Sequence, residues 1–166
     1  MNIKEAEEFA KEKFKILPKQ DYDWNFIHSR CVLALLETLS IEENIEIGKL
    51  EPLVYIHDVG KVIHEENHAQ LSLEILEKKY KLGAIEKDCI VNHGSSGKPL
   101  TPEGKIFRYA DGLSLFHPIA AQFILNSEGK EQGKRVLKKL YEKYCIAYKD
   151  NDKILRILEL MYKNCI

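Results

Sequence analysis

The chain has 166 residues, with 25 Lys and Arg against 26 Asp and Glu, 45% hydrophobic and 31% charged side chains, and a formal net charge of -1. That composition predicts one domain over 1–166 with enough apolar side chains for a packed core, and it excludes an intrinsically disordered chain. The balanced charge gives no electrostatic case for nucleic acid as the main partner, because duplex binding rests on a concentrated cationic surface; residues 126–166, with 10 cations and 6 anions, read as a mildly positive solvated helix face.

In chain order the pattern predicts an all-α protein without repeats or long linkers, since Gly and Pro fall between segments of helical period. The opening MNIKEAEEFAKEKFK alternates charges and lacks the apolar region of a signal peptide. It reads as an amphipathic helix over 3–16, stopped by Pro18. A second helix is expected after Asp21 or Asp23 and up to Ser40, with Trp24, Ile27, Cys31 and Leu35 on one stripe beside Val32 and Leu36. A third is placed at 51–59, where Pro52 suits a first turn and would damage an interior. Further helices are predicted over 67–80 and 84–93, then a loop Gly94-Ser95-Ser96-Gly97-Lys98-Pro99. Thr101-Pro102-Glu103 has the form of an N-cap followed by proline at the first helical position, opening a helix to Phe116. The remaining helices start at Pro118 and cover 130–149 and 152–164.

No run of about 18 apolar residues occurs, which argues against a membrane span. The cysteines at 31, 89, 145 and 165 are too widely spaced for a metal knuckle or a dense disulfide framework and read as reduced thiols. A cytoplasmic protein with no membrane partner is the expectation.

All six histidines lie between positions 28 and 117. His28 sits on the apolar stripe of the second helix, and His57-Asp58 ends the run Leu53-Val54-Tyr55-Ile56. His68 shares a stripe with Leu71 and Ile75; His93 follows Cys89 and Ile90, and Asp111 follows Phe107 by one turn. Buried carboxylates are costly without compensation, and a divalent metal supplies one charge that several imidazoles and carboxylates can share. Imidazole with carboxylate suits Mn, Fe, Co, Ni or Zn, and the cysteine spacing argues against a thiolate zinc site.

His28, then His57-Asp58 in Tyr-Ile-His-Asp-Val-Gly-Lys, then Asp111 in Arg-Tyr-Ala-Asp-Gly-Leu, resembles the HD-domain superfamily of metal-dependent phosphohydrolases. The segment Asp-Tyr-Asp-Trp-Asn-Phe-Ile-His is similar to the first histidine motif of many members. The resemblance covers residues 21–116 and implies an HD-type helical bundle with added helices over 118–164. It also implies one divalent ion held by His28, His57, Asp58 and Asp111. His68 and His93 resemble the extra histidines of the binuclear branch, in which Asp58 would bridge two ions; with one ion they would instead face the substrate phosphate.

The expected reaction is hydrolysis of a phosphomonoester or phosphodiester of a small molecule, a nucleotide foremost, by metal-activated water. Asp58 is then central to catalysis. Lys61 has the reach and charge for a phosphate oxygen, or else is a solvated lysine past a helix end. His68 or His93 would protonate the leaving oxygen. His64 reads as a surface residue, His117 as a helix boundary, Arg30 and Arg108 as phosphate contacts, and 94–97 as a pocket rim without the context of a P-loop. Tyr141, Tyr144 and Tyr148 with Val136, Leu137 and Leu140 read as core or homodimer packing. Two other functions use the same residues: a di-iron oxygenase with all six ligands, and a metal- and nucleotide-binding sensor without turnover.

Overall fold

Helix α1 (Ile3–Phe14) begins at Asn2, whose side chain accepts a hydrogen bond from the Glu5 amide, and buries Ala6, Phe9, Ala10 and Phe14 at helical spacing. These belong to a computed structural model that describes residues 1–166 and consists of helices and their connections. Helix α2 (Lys19–Glu43) starts directly after Pro18, earlier than the acidic residues suggest, with Pro18 as its N-cap at φ -50° and ψ 147°. It buries His28, Cys31, Val32, Leu36 and Leu39 and ends at Asn44 in the left-handed conformation, φ 54°.

The expected third helix is broken in two. Helix α3 is the short turn Leu53–Ile56, Asp58 leaves helical geometry at φ -101° and ψ 3°, and a 3-10 turn follows over Val59–Val62. Adjacent residues on a regular α-helix point about 100° apart. The interruption at Asp58 therefore decides how His57 and Asp58 come to share one interior point.

Helices α4 (His68–Glu77), α5 (Ala84–Val91), α6 (Pro102–Ser114), α7 (Pro118–Glu128), α8 (Lys130–Ala147) and α9 (Asp152–Cys165) complete the order. Helix α6 packs along α2, α4 against the 3-10 turn, α5 against α6, and α7 against α8. One apolar core runs from Phe9 and Phe14 through Leu36, Ile56, Ile90 and Phe107 to Leu137 and Leu158. No helix is long and apolar enough to cross a membrane, and the four cysteines are free.

The start of α6 is fixed twice. Thr101 Oγ accepts from the Gly104 amide at 2.9 Å, the cap its sequence predicts. Asp88 on α5, which no local pattern singles out, accepts from Leu100 N at 3.0 Å, Thr101 N at 2.8 Å, Thr101 Oγ at 2.6 Å and Asn92 Nδ2 at 2.8 Å. Burial would push this carboxyl up, but the Thr101, Leu100 and Asn92 donors hold it below its ordinary value. A carboxylate before the first turn also complements the helix dipole. Asp88 thus sets the position of the helix that carries Asp111.

Candidate metal centre

Four imidazoles from four separate elements are oriented by the same device. His57 Nδ1 donates to the Val54 carbonyl at 3.1 Å, His68 Nδ1 to Glu65 at 2.6 Å and His93 Nδ1 to Ile90 at 2.6 Å. A carbonyl only accepts, so Nδ1 carries the proton in the neutral ring and Nε2 keeps its lone pair. His28 reaches the same state through Ser114. The Ser114 hydroxyl donates to the Asp111 carbonyl at 2.6 Å, which leaves its oxygen to accept from His28 Nδ1 at 2.9 Å.

The Nε2 atoms then converge in two pairs. His28 and His57 Nε2 lie 3.3 Å apart, and His68 and His93 Nε2 lie 2.9 Å apart. Asp58 stands between them: Oδ2 is 3.4 Å from His57 and 3.6 Å from His28, while Oδ1 is 3.1 Å from His68 and 3.4 Å from His93. Asp111 Oδ1 joins the first pair, 3.0 Å from His28 and 3.4 Å from His57. The ligand atoms of His28, His57 and Asp58 fall within 4.8 Å of one another, as do those of Asp58, His68 and His93.

This donor set fits divalent cations. Lone pairs aimed at each other inside a protein repel unless a cation or proton lies between them, and Asp58 Oδ1 is buried without a hydrogen-bond donor. His57 is fully buried and His28, Asp58, Asp111 and His93 nearly so, which makes their uncompensated charge and lone pairs costly. Burial would raise the Asp58 carboxyl, but the Lys61 ammonium and the surrounding imidazoles outweigh it and hold the group well below the usual carboxylate range. Asp111 is driven the same way, burial being overcome by the neighbouring His28 and His57 imidazoles. Both carboxylates are therefore ionised and ready to bind a cation.

Lys61 is not a solvated lysine. Its ammonium lies 2.7 Å from Asp58 Oδ2 and its side chain is 16% exposed, a buried ion pair at the cavity wall. Burial would lower its pKa, yet Asp58 and Glu65 raise it, so it stays charged. Burial also works against a protonated His68, and the Asp58 carboxylate again prevails and raises its pKa.

A cavity of about 490 Å³ opens over the cluster and is lined by His28, Asp58, Lys61, His68, His93 and Asp111, with Gly94, Ser95 and Ser96 at its rim. His64 is exposed and away from this lining, and His117 accepts from the Ile119 amide as the N-cap of α7. The two arginines depart from expectation. Arg108 donates to the carbonyls of Gly94, Ser95 and Ala147 at 3.1, 2.6 and 3.1 Å, so its guanidinium ties the rim loop to α8 instead of facing a phosphate. Arg30 is exposed on α2 and does not line the cavity. The aromatic cluster is divided as well: Tyr141 stacks on Tyr162 at 4.2 Å and Tyr148 donates to the Arg108 carbonyl, but Val136, Leu140 and Tyr144 line the cavity.

Gly60 explains how α4 reaches the site. Its amide donates to Ser72 Oγ at 2.8 Å, and a Cβ there would collide with the His68 carbonyl and lie 2.6 Å from the Ser72 amide. Gly60→Ala should therefore push α4 outward and cost about 1–3 kcal/mol, the range for inserting a methyl into packed structure. His68 would move with the helix. Chemical denaturation, with metal content measured on the folded variant, checks both effects; unchanged stability and metal content would show that α4 does not depend on this approach.

Comparison with known proteins agrees with this geometry. The HD domain family model matches residues 25–115, more than half of the chain. Ribonuclease Y of Fervidobacterium nodosum is 29% identical over 94 residues, covering 55% of this chain and 18% of that protein. Ribonuclease Y of Thermosipho melanesiensis is 30% identical over 106 residues, covering 60% of this chain and 20% of that protein. The chain thus spans about a fifth of the length of these relatives. No solved structure matches. With the family match spanning the elements that bring His28, His57, Asp58 and Asp111 together, the chain belongs to the HD-domain family.

Proposed function

We propose that this protein is a metal-dependent phosphohydrolase acting on a phosphomonoester or phosphodiester of a small molecule, a nucleotide foremost, and that 1–166 works as one catalytic domain. The observation that carries the reading is Asp58, with one carboxylate oxygen toward His28 and His57 and the other toward His68 and His93. His28, His57, Asp58 and Asp111 would hold one divalent ion, and Asp58, His68 and His93 a second. When bound, such ions polarise a phosphoryl oxygen and make water a stronger nucleophile near neutral pH.

The chain's own residues supply the rest. The backbone carbonyls behind His57, His68 and His93, and Ser114 behind His28, keep each imidazole in one tautomer and direction. In the hydrolysis a water oxygen bonds to phosphorus, the ester P–O bond breaks, water gives up a proton and the leaving oxygen takes one up. Lys61 offsets the Asp58 charge and faces the cavity, where a non-bridging phosphate oxygen would meet it. If the site works with one ion, His68, whose side chain is 20% exposed, is the proton donor best placed for the leaving oxygen.

The name ribonuclease on both relatives fits phosphodiester chemistry. A small substrate is favoured here over a long polyanion because Glu65 and Glu66 line the cavity beside Lys61 and Lys143, so the opening is not a concentrated cationic surface.

Metal analysis followed by a screen of phosphorylated metabolites tests the reading. The Mn-loaded protein is expected to hold two ions and release phosphate or a nucleotide, and His68→Ala to retain one ion with at least about a hundredfold lower turnover. Two ions and full turnover in His68→Ala would remove that residue from the site. Bound iron with dioxygen consumption and no phosphoester turnover would replace hydrolysis by di-iron oxygenation.

A further inference from the structure

The lining of the cavity over the metal cluster is chemically mixed. Asp58, Lys61, His68 and His93 supply polar groups, Trp24, Leu115, Ile124, Val136 and Leu140 supply apolar surface, and Lys143 and Tyr144 also line it. Ile124 lies on α7 and Val136 and Leu140 on α8, so much of the apolar surface comes from residues beyond the 25–115 family match. Val136 and Leu140 are one helical turn apart on the same side of α8, and Tyr144 continues that line. Both aliphatic side chains are half-buried with their remaining surface available to the cavity.

The wall is firmly placed. A Cβ at Gly133 would lie 2.8 Å from Leu125 Cα, so α7 and α8 meet backbone to backbone just before Val136. Trp24 is held between His28, stacked at 5.8 Å with 20° between ring planes, and Phe123 at 5.7 Å. An apolar wall within reach of a phosphate site favours a substrate that covers it with apolar surface, whereas a polyol would set hydroxyls against side chains that cannot pair with them.

We infer that α7 and α8 supply the specificity wall of the site, selecting phosphate esters whose organic part is an apolar ring over esters of small polyols. This rests on the phosphohydrolase reading above for the position of the phosphate, not for the existence of the wall. Leu140 and Val136 determine selectivity in this arrangement and take no part in bond breaking.

The test uses the whole Mn-loaded chain and two non-hydrolysable probes, phenylphosphonate and methylphosphonate, which share the anionic group and differ only in the organic one. Trp24 is the chain's one tryptophan and lines the cavity, so its fluorescence reports binding without turnover. Phenylphosphonate should bind about tenfold or more tightly than methylphosphonate, the scale of filling a hydrophobic pocket. Leu140→Gln should bring that ratio toward one, Leu140→Met should restore it, and Val136→Thr serves if Leu140→Gln does not melt cooperatively. In parallel, KM for phenyl phosphate should rise in Leu140→Gln with kcat nearly constant, while KM for glycerol 2-phosphate stays unchanged. Equal binding of the two phosphonates by wild type, or a ratio that a folded Leu140→Gln leaves intact, would overturn the proposal. A preference for phenylphosphonate in a protein that hydrolyses no phosphoester would sustain the wall and overturn the hydrolase reading instead.

Discussion

Asp58→Ala is expected to lower phosphoester turnover by at least about a hundredfold to a thousandfold, the scale on which one electrostatic stabiliser acts in an active site. The reason lies in position: it is the one carboxylate whose two oxygens face both histidine pairs. Metal binding should show the loss independently of turnover. A ligand that binds only the folded state at 100 times its Kd stabilises by about 2.7 kcal/mol, so wild type should melt well above its chelated form when Mn is added. The mutant's melting temperature should hardly respond. Without metal the two proteins should melt close together, because the substitution removes a buried anion that has to be compensated, and Lys61, freed from its 2.7 Å pair, has Glu65 within 3.9 Å. Melts with and without chelator, run beside turnover of a generic phosphoester, decide the matter. Equal metal stabilisation and equal turnover in both proteins would make the His57-Asp58 pair structural and end the phosphohydrolase reading.

Replacing Asp88 by alanine should cost stability on the order of 1–3 kcal/mol, since it removes a buried carboxylate acceptor from several part-buried donors. The groups that lose their acceptor are the amides of Leu100 and Thr101, just before the first turn of α6, and the side chain of Asn92 at the end of α5. The same contact predicts a pH signature. The Asp88 carboxyl titrates lower in the folded chain than in the unfolded one, where the ordinary value is about 3.9. Its contribution is therefore fully present above the unfolded value and is lost as pH falls through the folded one. Wild-type stability should drop more steeply than that of Asp88→Asn on acidification below about pH 4. Urea unfolding at pH 7 and at several points below pH 5 measures both effects, and an Asp88→Ala protein as stable as wild type would show that Thr101 alone fixes the helix start.

How much of this was readable beforehand differs from element to element. The Thr101-Pro102 helix start, the stripe of α1 and the apolar faces around His28, His57 and His93 follow from spacing and capping, which act over a few residues. The order His28, His57-Asp58, Asp111 likewise carries the family resemblance within the sequence. The beginning of α2 at Lys19 does not follow from local pattern, because acidic residues and Pro18 both signal a helix start and pattern alone does not rank them.

The remaining features depend on what lies opposite in space. Nothing near Lys61 in the chain separates a solvated lysine from one paired with Asp58, and nothing near Arg108 shows that three distant carbonyls will take its donors. Val136, Leu140 and Tyr144 have the spacing of core residues; the packing of α8 beside α7 turns that face toward a cavity. Periodicity and capping are local, so most helices, their buried faces and the metal-type residues follow from the chain alone, whereas the break at Asp58 within the expected helix over 51–59 does not. Only the tertiary structure decided that Asp58 stands between two histidine pairs, with His68 and His93 brought from 10 and 35 residues further along the chain. That juxtaposition is set by the close approach of α4 at Gly60 and of α5 against α6, which are contacts between surfaces and not properties of any one segment.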